Sequence, residues 1–170
     1  LAFPSNLIFD ESAQTAPDSV GHIEPHDQPQ PACNPDNSTV KHFSLTAGET
    51  HWQFTAGGTI DAWTFDDAVP GPLLCVNVAD TLVVTLSNEL SVPVSFHVHL
   101  PEANGSQNPS QVEPGEVAIF SFVAEQAGTY LYHDTTNGNE GLGKGLHGAL
   151  IVRDGQPDAD HEIVVILGEF

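Results

Sequence analysis

The chain has 170 residues, 39% of them apolar, which is enough for one globular domain with a buried core. It carries 23 acidic residues against 3 basic ones, and its formal net charge of −20 disfavours binding to nucleic acid or anionic lipid. No apolar run approaches the roughly 20 residues that a membrane-spanning helix needs, so we expect no membrane insertion.

The first 38 residues contain six prolines and little periodicity, which is typical of an arm that is extended on the surface or partly disordered. Because the chain starts at Leu1 rather than Met, we expect that it is processed or trimmed, and a signal peptide, if there was one, is already gone. A stripped N-terminus favours an exported protein. A disulfide between Cys33 and Cys75 would tie the arm to the body in an oxidising compartment. Two free thiols are the alternative.

From Val40 onward, short β-branched or aromatic runs alternate with turn signals. The segment from Thr135 to Lys144 is predicted to be a loop rich in Gly and Asn, and no helical periodicity exceeds a turn or two. This pattern predicts an all-β fold, an antiparallel sandwich or barrel. The predicted strands are Val40–Thr46, His51–Ala56, Ile60–Phe65, Leu73–Asn77, Thr81–Ser87, Val92–Leu100, Val117–Val123, Gly128–His133, Leu146–Arg153 and His161–Leu167.

The segment Phe96-His97-Val98-His99-Leu100 contains the first candidate metal ligands. Side chains alternate between the two faces of a strand, so Phe96 and Val98 face a core while His97 and His99 share the other face. Their Cα atoms are about 7 Å apart on a regular strand. Two imidazoles side by side on a buried strand predict half of a metal site.

Two more histidines lie at the ends of predicted strands. His133 ends one strand, and His147 stands near the start of another. Up to four histidines could therefore converge, and imidazole clusters suit copper or zinc, with copper favoured by its intrinsic affinity. The alternative is that these are unrelated surface histidines. For His147 the two interpretations are about equal.

These motifs resemble a known family. The run Ala-Trp-Thr-Phe-Asp-Asp-Ala-Val-Pro-Gly-Pro at 62–72 resembles the opening of multicopper oxidases and copper nitrite reductases. The expected order follows: a strand at 82–86, the His-x-His pair, Glu-Pro-Gly at 113–115, and Gly-Thr-Tyr-Leu-Tyr-His at 128–133. With Gly-Leu-His-Gly-Ala-Leu-Ile-Val at 145–152, the pattern looks most like the first domain of two-domain (small) laccases.

The resemblance implies a cupredoxin-like antiparallel Greek-key β-sandwich at 39–155. The extended arm (1–38) would precede it, and 156–170 would be a closing strand or the lead-in to a following domain. In the family, the first domain supplies two His-x-His pairs to a trinuclear copper cluster that reduces dioxygen to water. Another domain supplies the remaining histidines and a type 1 copper held by a cysteine and two histidines. Carried over, His97 and His99 match the first pair, and His133 matches the first member of the second.

The chain departs from the family pattern at several positions. Thr135 stands where the fourth histidine is expected, and a hydroxyl is a poor replacement for imidazole at copper. Leu100 replaces the glycine expected after the first pair, and no cysteine follows Tyr132 in the loop where a type 1 site would need one. His147 occupies a position that is usually aromatic in small laccases. The predicted copper ligands are therefore His97, His99, His133 and His147, with the role of His147 open.

Three functions remain in competition. The first is a copper-binding domain of a laccase-like multicopper oxidase, completed by a further cupredoxin domain or by a homo-oligomer such as a trimer. In that case the chain alone is inactive. The second is a stand-alone copper carrier without oxidase activity, and the third is a secreted interaction module with a degenerate site. Redox copper chemistry also favours an exported protein, so we expect it to be secreted, at the cell surface or in the periplasm.

The acidic surface generates a prediction about salt. Carboxylate excess serves solubility in any case, but it also suits a marine or halophilic source, where high salt screens the self-repulsion of the folded chain. We expect the thermal midpoint of unfolding to rise between dilute buffer and molar salt. Equal midpoints at both salt concentrations would exclude adaptation to salt.

Overall fold

Eight β-strands and one short helix make up the described part of the chain, as the all-β prediction requires. The computed structural model describes residues 38–55, 58–100, 111–155 and 164–167. Apart from residue 38, the predicted arm lies outside the described residues. The elements are β1 (Val40–Thr55), β2 (Gly58–Phe65), β3 (Leu74–Asn77), β4 (Thr81–Asn88), β5 (His97–Val98), β6 (Val117–Val123), β7 (Gly128–His133), α1 (Gly138–Lys144) and β8 (His147–Arg153).

The strands form two sheets of four, in the orders β2-β1-β4-β6 and β3-β8-β7-β5. Leu82, Val84 and Leu86 from the first sheet share one core with Tyr132 and Leu150 from the second, and all five are 0% exposed. The β-sandwich prediction is therefore confirmed. Four of the pairings between these strands are antiparallel. The pairs β1–β4 and β3–β8 are parallel, so the antiparallel description does not hold for these two. Alternation along a single strand does not report the direction of its neighbour.

β1 is one continuous strand, so the prediction of two strands separated near Gly48 is wrong. Its first half pairs in parallel with β4, and its second half pairs with β2 in the antiparallel direction. Gly48 lies within the ladder opposite Thr64. Here β pairing on both sides of Gly48 outweighs the weak strand propensity of glycine.

The predicted strand at 92–100 is much shorter in the structure. Only His97 and Val98 form a ladder, although Val94 makes an isolated bridge to Val112. Pro93 has no N–H to donate, and the Ser95 N–H donates to the Asp134 carboxylate at 2.8 Å instead of to a strand. The predicted inward face of this segment agrees with the structure, because Val94, Phe96 and Val98 are at most 2% exposed.

Aromatic side chains fill the centre of the core. The Phe96 ring lies 5.2 Å from that of Tyr132, 5.9 Å from Phe120 and 6.0 Å from Phe122, between centroids. The Tyr132 hydroxyl donates to the Pro72 carbonyl at 2.6 Å, so its polar end is satisfied. These contacts fix β5 and β7 relative to each other.

The segment predicted as a loop contains helix α1. Lys144 pairs with Glu140 at 2.9 Å, and its ammonium lies 3.9 Å from the centroid of the Trp63 ring. Gly145 ends the helix with a φ of 116°, which favours glycine. Seven residues rich in Gly carry no helical periodicity, so tertiary contacts decide this helix.

The end of the chain and the cysteines are described only in part. Residues 164–167, predicted to belong to a strand, form none, although Val164 packs against the buried Cys75 and Ile151. Cys75 is disulfide-bonded, and the only other cysteine in the sequence, Cys33, lies outside the described residues.

Within the described ranges, no helix is both long and apolar enough to cross a bilayer. The domain boundaries at 38 and 155 stay predictions.

The packing around Phe96 generates a stability prediction. Phe96→Ala should lower the free energy of unfolding by about 3–5 kcal/mol, because it opens a cavity under β5 and β7. Val117→Ala is a suitable control, since Val117 is 60% exposed and its truncation should change stability by less than about 0.5 kcal/mol. Denaturant unfolding measures both. Equal effects of the two substitutions would show that the assignment of inner and outer faces is wrong.

Candidate metal centre

Three neighbouring strands place three histidines in one row. His97 on β5 is directly opposite His133 on β7, which is directly opposite His147 on β8. Residues paired across strands project from the same face of a sheet. The next pair, Val98 and Tyr132, is buried in the core, so the histidines lie on the outer face of the sheet.

His99 joins this row from the residue after β5. Its backbone N–H donates to the Leu131 carbonyl at 3.0 Å, and its Nε2 lies 2.8 Å from Nε2 of His133. The ring centroids are 5.0 Å apart for His97 and His99, 5.8 Å for His97 and His133, and 4.9 Å for His99 and His133. The structure therefore brings these three predicted ligands together, with His147 next to His133 in the ladder.

Hydrogen bonds orient the His133 imidazole. Its Nδ1 lies 2.8 Å from the Asp134 carbonyl, and because a carbonyl only accepts, Nδ1 carries the proton. Nε2 of His133 then has a lone pair, and His99 donates its Nε2–H to it. Two nitrogens bound to one metal at about 2 Å are about 3 Å apart, close to the separation seen here. A metal ion could therefore replace the shared proton with little movement.

His147 is the most buried of the four histidines, at 6% exposure. Its Nδ1 donates to the Leu142 carbonyl at 3.2 Å, near the end of α1. Burial lowers its pKa, an effect that the bond to Leu142 opposes and the neighbouring His133 reinforces. Burial also lowers the pKa of His99, and the charges of His133 and His97 add to the effect. Both shifts favour neutral imidazole, the form that binds metals.

Thr135, which stands at the position of the expected fourth histidine, is held in the loop by Ser95. Its Oγ1 lies 2.9 Å from the Ser95 Oγ, and its backbone N–H donates to the same hydroxyl at 2.8 Å. Its hydroxyl is thus part of the loop's hydrogen bonding.

Sequence reasoning missed the role of Asp134. Its buried carboxylate accepts five hydrogen bonds of 2.8–3.0 Å, from the backbone N–H groups of Ser95, Thr136 and Asn137 and from the side chains of Ser95 and Asn137. Gly141 leaves room for it, because a Cβ there would overlap the carboxylate. The run Asp-Thr-Thr-Asn is a turn signal that could have indicated this role. Asp134 thereby joins the segment before β5 to the loop that follows His133.

Within the described ranges, no group of three or more His, Cys, Asp or Glu side chains is arranged to hold a single metal ion. His99 and His133 therefore form a hydrogen-bonded pair, and His97 and His147 lie on either side of His133 in the ladder.

The protein-family model described as "Multicopper oxidase" matches residues 46–157 of this chain. The chain belongs to the multicopper oxidase family. All four histidines lie within the matched region, which confirms the family predicted from the motifs.

This multicopper oxidase family chain is similar to several copper proteins. It is 30% identical over 146 residues to a copper-containing nitrite reductase of Neisseria meningitidis, covering 82% of this chain and 38% of the relative. It is 35% identical over 138 residues to copper resistance protein A of Escherichia coli, covering 75% of this chain and 22% of the relative. The chain thus spans well under half the length of these relatives.

Solved structures show the same fold. A multi-copper oxidase from Pseudomonas thermotolerans superposes with a TM-score of 0.61 and 29% identity, over 69% of this chain and 30% of that one. The copper nitrite reductase from Nitrosomonas europaea superposes with a TM-score of 0.62 and 30% identity, over 66% of this chain and 41% of that one. The cupredoxin-like fold predicted from the resemblance is confirmed.

The Asp134 network generates a second stability prediction. Asp134→Asn replaces an accepting oxygen with an amide N–H₂, which cannot accept from the donors that surround it. We therefore expect the free energy of unfolding to fall by about 1–3 kcal/mol. Denaturant unfolding measures the loss, with Asp154→Asn as the control because Asp154 is an exposed carboxylate. If the two substitutions have the same small effect, the network does not stabilise the loop.

Proposed function

We propose that this chain is the copper-binding, cupredoxin-like domain of a laccase-like multicopper oxidase, and that it supplies imidazole ligands to an oxygen-reducing copper cluster. One observation carries the proposal: the Nε2 atoms of His99 and His133 face each other at 2.8 Å, with the Nδ1 of His133 held by a backbone carbonyl. In metal-binding histidines, one ring nitrogen usually donates to a carbonyl or carboxylate, and this bond fixes the tautomer. The other nitrogen then faces the metal, together with the nitrogens of the neighbouring ligands.

The donor set fits copper. His97, His99 and His133 offer only imidazole nitrogen, which copper binds more strongly than other divalent first-row metals do. The pKa of His99 is lowered, chiefly by burial, which favours the neutral imidazole that binds metals. The names of the relatives, copper-containing nitrite reductase and copper resistance protein A, point to the same metal.

Bound copper would supply one-electron redox chemistry and a binding position for dioxygen. The residues of this chain hold and orient the ligands. The Leu131 carbonyl anchors the His99 backbone, and the Asp134 carbonyl sets the His133 ring. On the inner face, Phe96 and Tyr132 keep β5 and β7 in register.

The complete cluster would require ligands from elsewhere. No three of the described His, Cys, Asp and Glu side chains close a site around one metal, as expected for a site shared with another domain or subunit. Cys75 is disulfide-bonded and cannot act as the thiolate of a type 1 copper. We therefore infer a partner that is a further cupredoxin domain or another copy of the chain, as in a trimer, and that carries the electron-accepting copper.

We also infer an exported location, secreted, cell-surface or periplasmic. The disulfide at Cys75 supports it, because disulfides persist mainly in oxidising compartments. The acidic, salt-adapted surface inferred from the sequence is compatible with direct exposure to the medium.

Copper analysis of purified variants tests the ligand assignment. The double substitution of His97 and His99 by Ala, and separately His133→Ala, should remove the copper held between His99 and His133 and leave the far-UV circular dichroism unchanged. His42→Ala is the matched control, since His42 is an exposed histidine on β1 in the other sheet. The measurement should be made in high salt, which screens nonspecific attraction of copper to the acidic surface.

Full copper content in the double variant would contradict the ligand assignment. An intense blue absorption from this chain without a partner would contradict the inference that the type 1 copper lies elsewhere. A wild-type chain that binds no copper would exclude the proposed function and favour a degenerate module.

A further inference from the structure

We propose that His147 is a copper ligand and holds a second metal position beside the one between His99 and His133, in place of the imidazole that Thr135 does not supply. This inference rests on the proposed function, because it concerns the same cluster. Four observations carry it: strand register, backbone anchoring, ring orientation and the bonding of Thr135.

The register places His147 on the metal-binding face. It is directly opposite His133, which is directly opposite His97, so one imidazole leaves the same face from each of three adjacent strands. Directly opposed residues have Cβ atoms about 5 Å apart, within reach of neighbouring metal ions in one cluster. The first residue of β8 is thus beside the cluster.

The backbone of His147 is anchored on both sides. Its N–H donates to the Gly145 carbonyl at 2.7 Å, and its carbonyl accepts from the Gly71 N–H at 2.8 Å. Gly145 has a φ of 116°, and a Cβ there would meet Val69 and the Trp63 carbonyl, so the turn from α1 into β8 is tightly specified. Such a position suits a ligand that must be held in place before metal binds.

The His147 ring repeats the arrangement of His133. In both residues Nδ1 donates to a backbone carbonyl, of Leu142 for His147 and of Asp134 for His133. Nε2 of His147 therefore carries the lone pair, and it has no hydrogen bond to any of the described groups. A carbonyl on one ring nitrogen and a free lone pair on the other are what a metal-binding histidine needs.

A purely structural role for His147 explains its burial less well than metal binding does. Burying an imidazole to 6% exposure for one hydrogen bond of 3.2 Å costs desolvation, which an aromatic hydrocarbon would avoid. Thr135 meanwhile has its hydroxyl on Ser95 and is not available as a ligand without breaking the loop's hydrogen bonds. The imidazole lost at position 135 therefore has a substitute one strand away.

Copper stoichiometry of the purified protein in its native assembly tests the inference. His147→Phe should lose one copper equivalent per chain, or bind it more than about 100-fold more weakly, because ligand loss exceeds the 10–100-fold effect of an outer-shell change. The copper held by His99 and His133 should remain. His42→Phe is the control, placing the same substitution at an exposed histidine on the other sheet.

The outcomes separate this inference from the proposed function. Wild-type copper content and affinity in His147→Phe would overturn the role of His147 and leave the domain's copper function standing. Absence of copper from the wild-type protein would overturn both.

A second measurement does not depend on a variant that folds. In wild-type protein labelled with ¹⁵N-histidine, addition of Cu(I), which is diamagnetic, should shift the Nε2 resonance of His147 together with those of His99 and His133. The resonances of His42 should stay in place. An unchanged Nε2 resonance of His147 at saturating Cu(I) would overturn the inference.

Discussion

The row of histidines depends on the packing of an aromatic pair on the opposite face of the same strands. Phe96 and Tyr132 lie 5.2 Å apart between ring centroids and are almost fully buried. Because successive residues alternate faces, burying these two rings turns His97, His99 and His133 outward. A slip of one residue in β5 would bury the imidazoles and expose Phe96, so the core enforces the register of the face that carries the histidines.

The second constraint is polar. Asp134 receives five hydrogen bonds in a buried position, and its backbone carbonyl also sets the ring of His133. One residue thus joins the segment before β5 to the loop after β7 and orients a candidate ligand. Ligands held in place before binding lose less conformational entropy when the metal arrives. The shortness of β5 is the local consequence, since the Ser95 N–H serves this carboxylate.

The electrostatic setting favours cation capture. The formal charge of −20 creates a long-range field that attracts cations and raises their local concentration at low ionic strength. The row of histidines differs from the bulk of the acidic side chains, because imidazole nitrogen suits copper better than carboxylate oxygen does. The attraction of cations is therefore a property of the whole acidic chain, and the histidine row is where we propose that copper is selected. Lys144, one of three basic side chains, lies over Trp63 and beside Glu140.

Sequence alone determined the β-class, the division of faces in Phe96–Leu100 and the family. These features are local: alternation of period two and motif order survive without knowledge of neighbouring strands. Tertiary structure decided what depends on pairing. Strand direction and the continuity of β1 through Gly48 depend on partner strands that are distant in sequence. Lys144 of α1 lies over Trp63, and Asp134 accepts two of its five hydrogen bonds from Ser95, which lies 39 residues earlier. The position of His147 is the clearest case. No spacing along the chain relates it to His97, 50 residues earlier, because only the β5–β7–β8 ladder places both on one face.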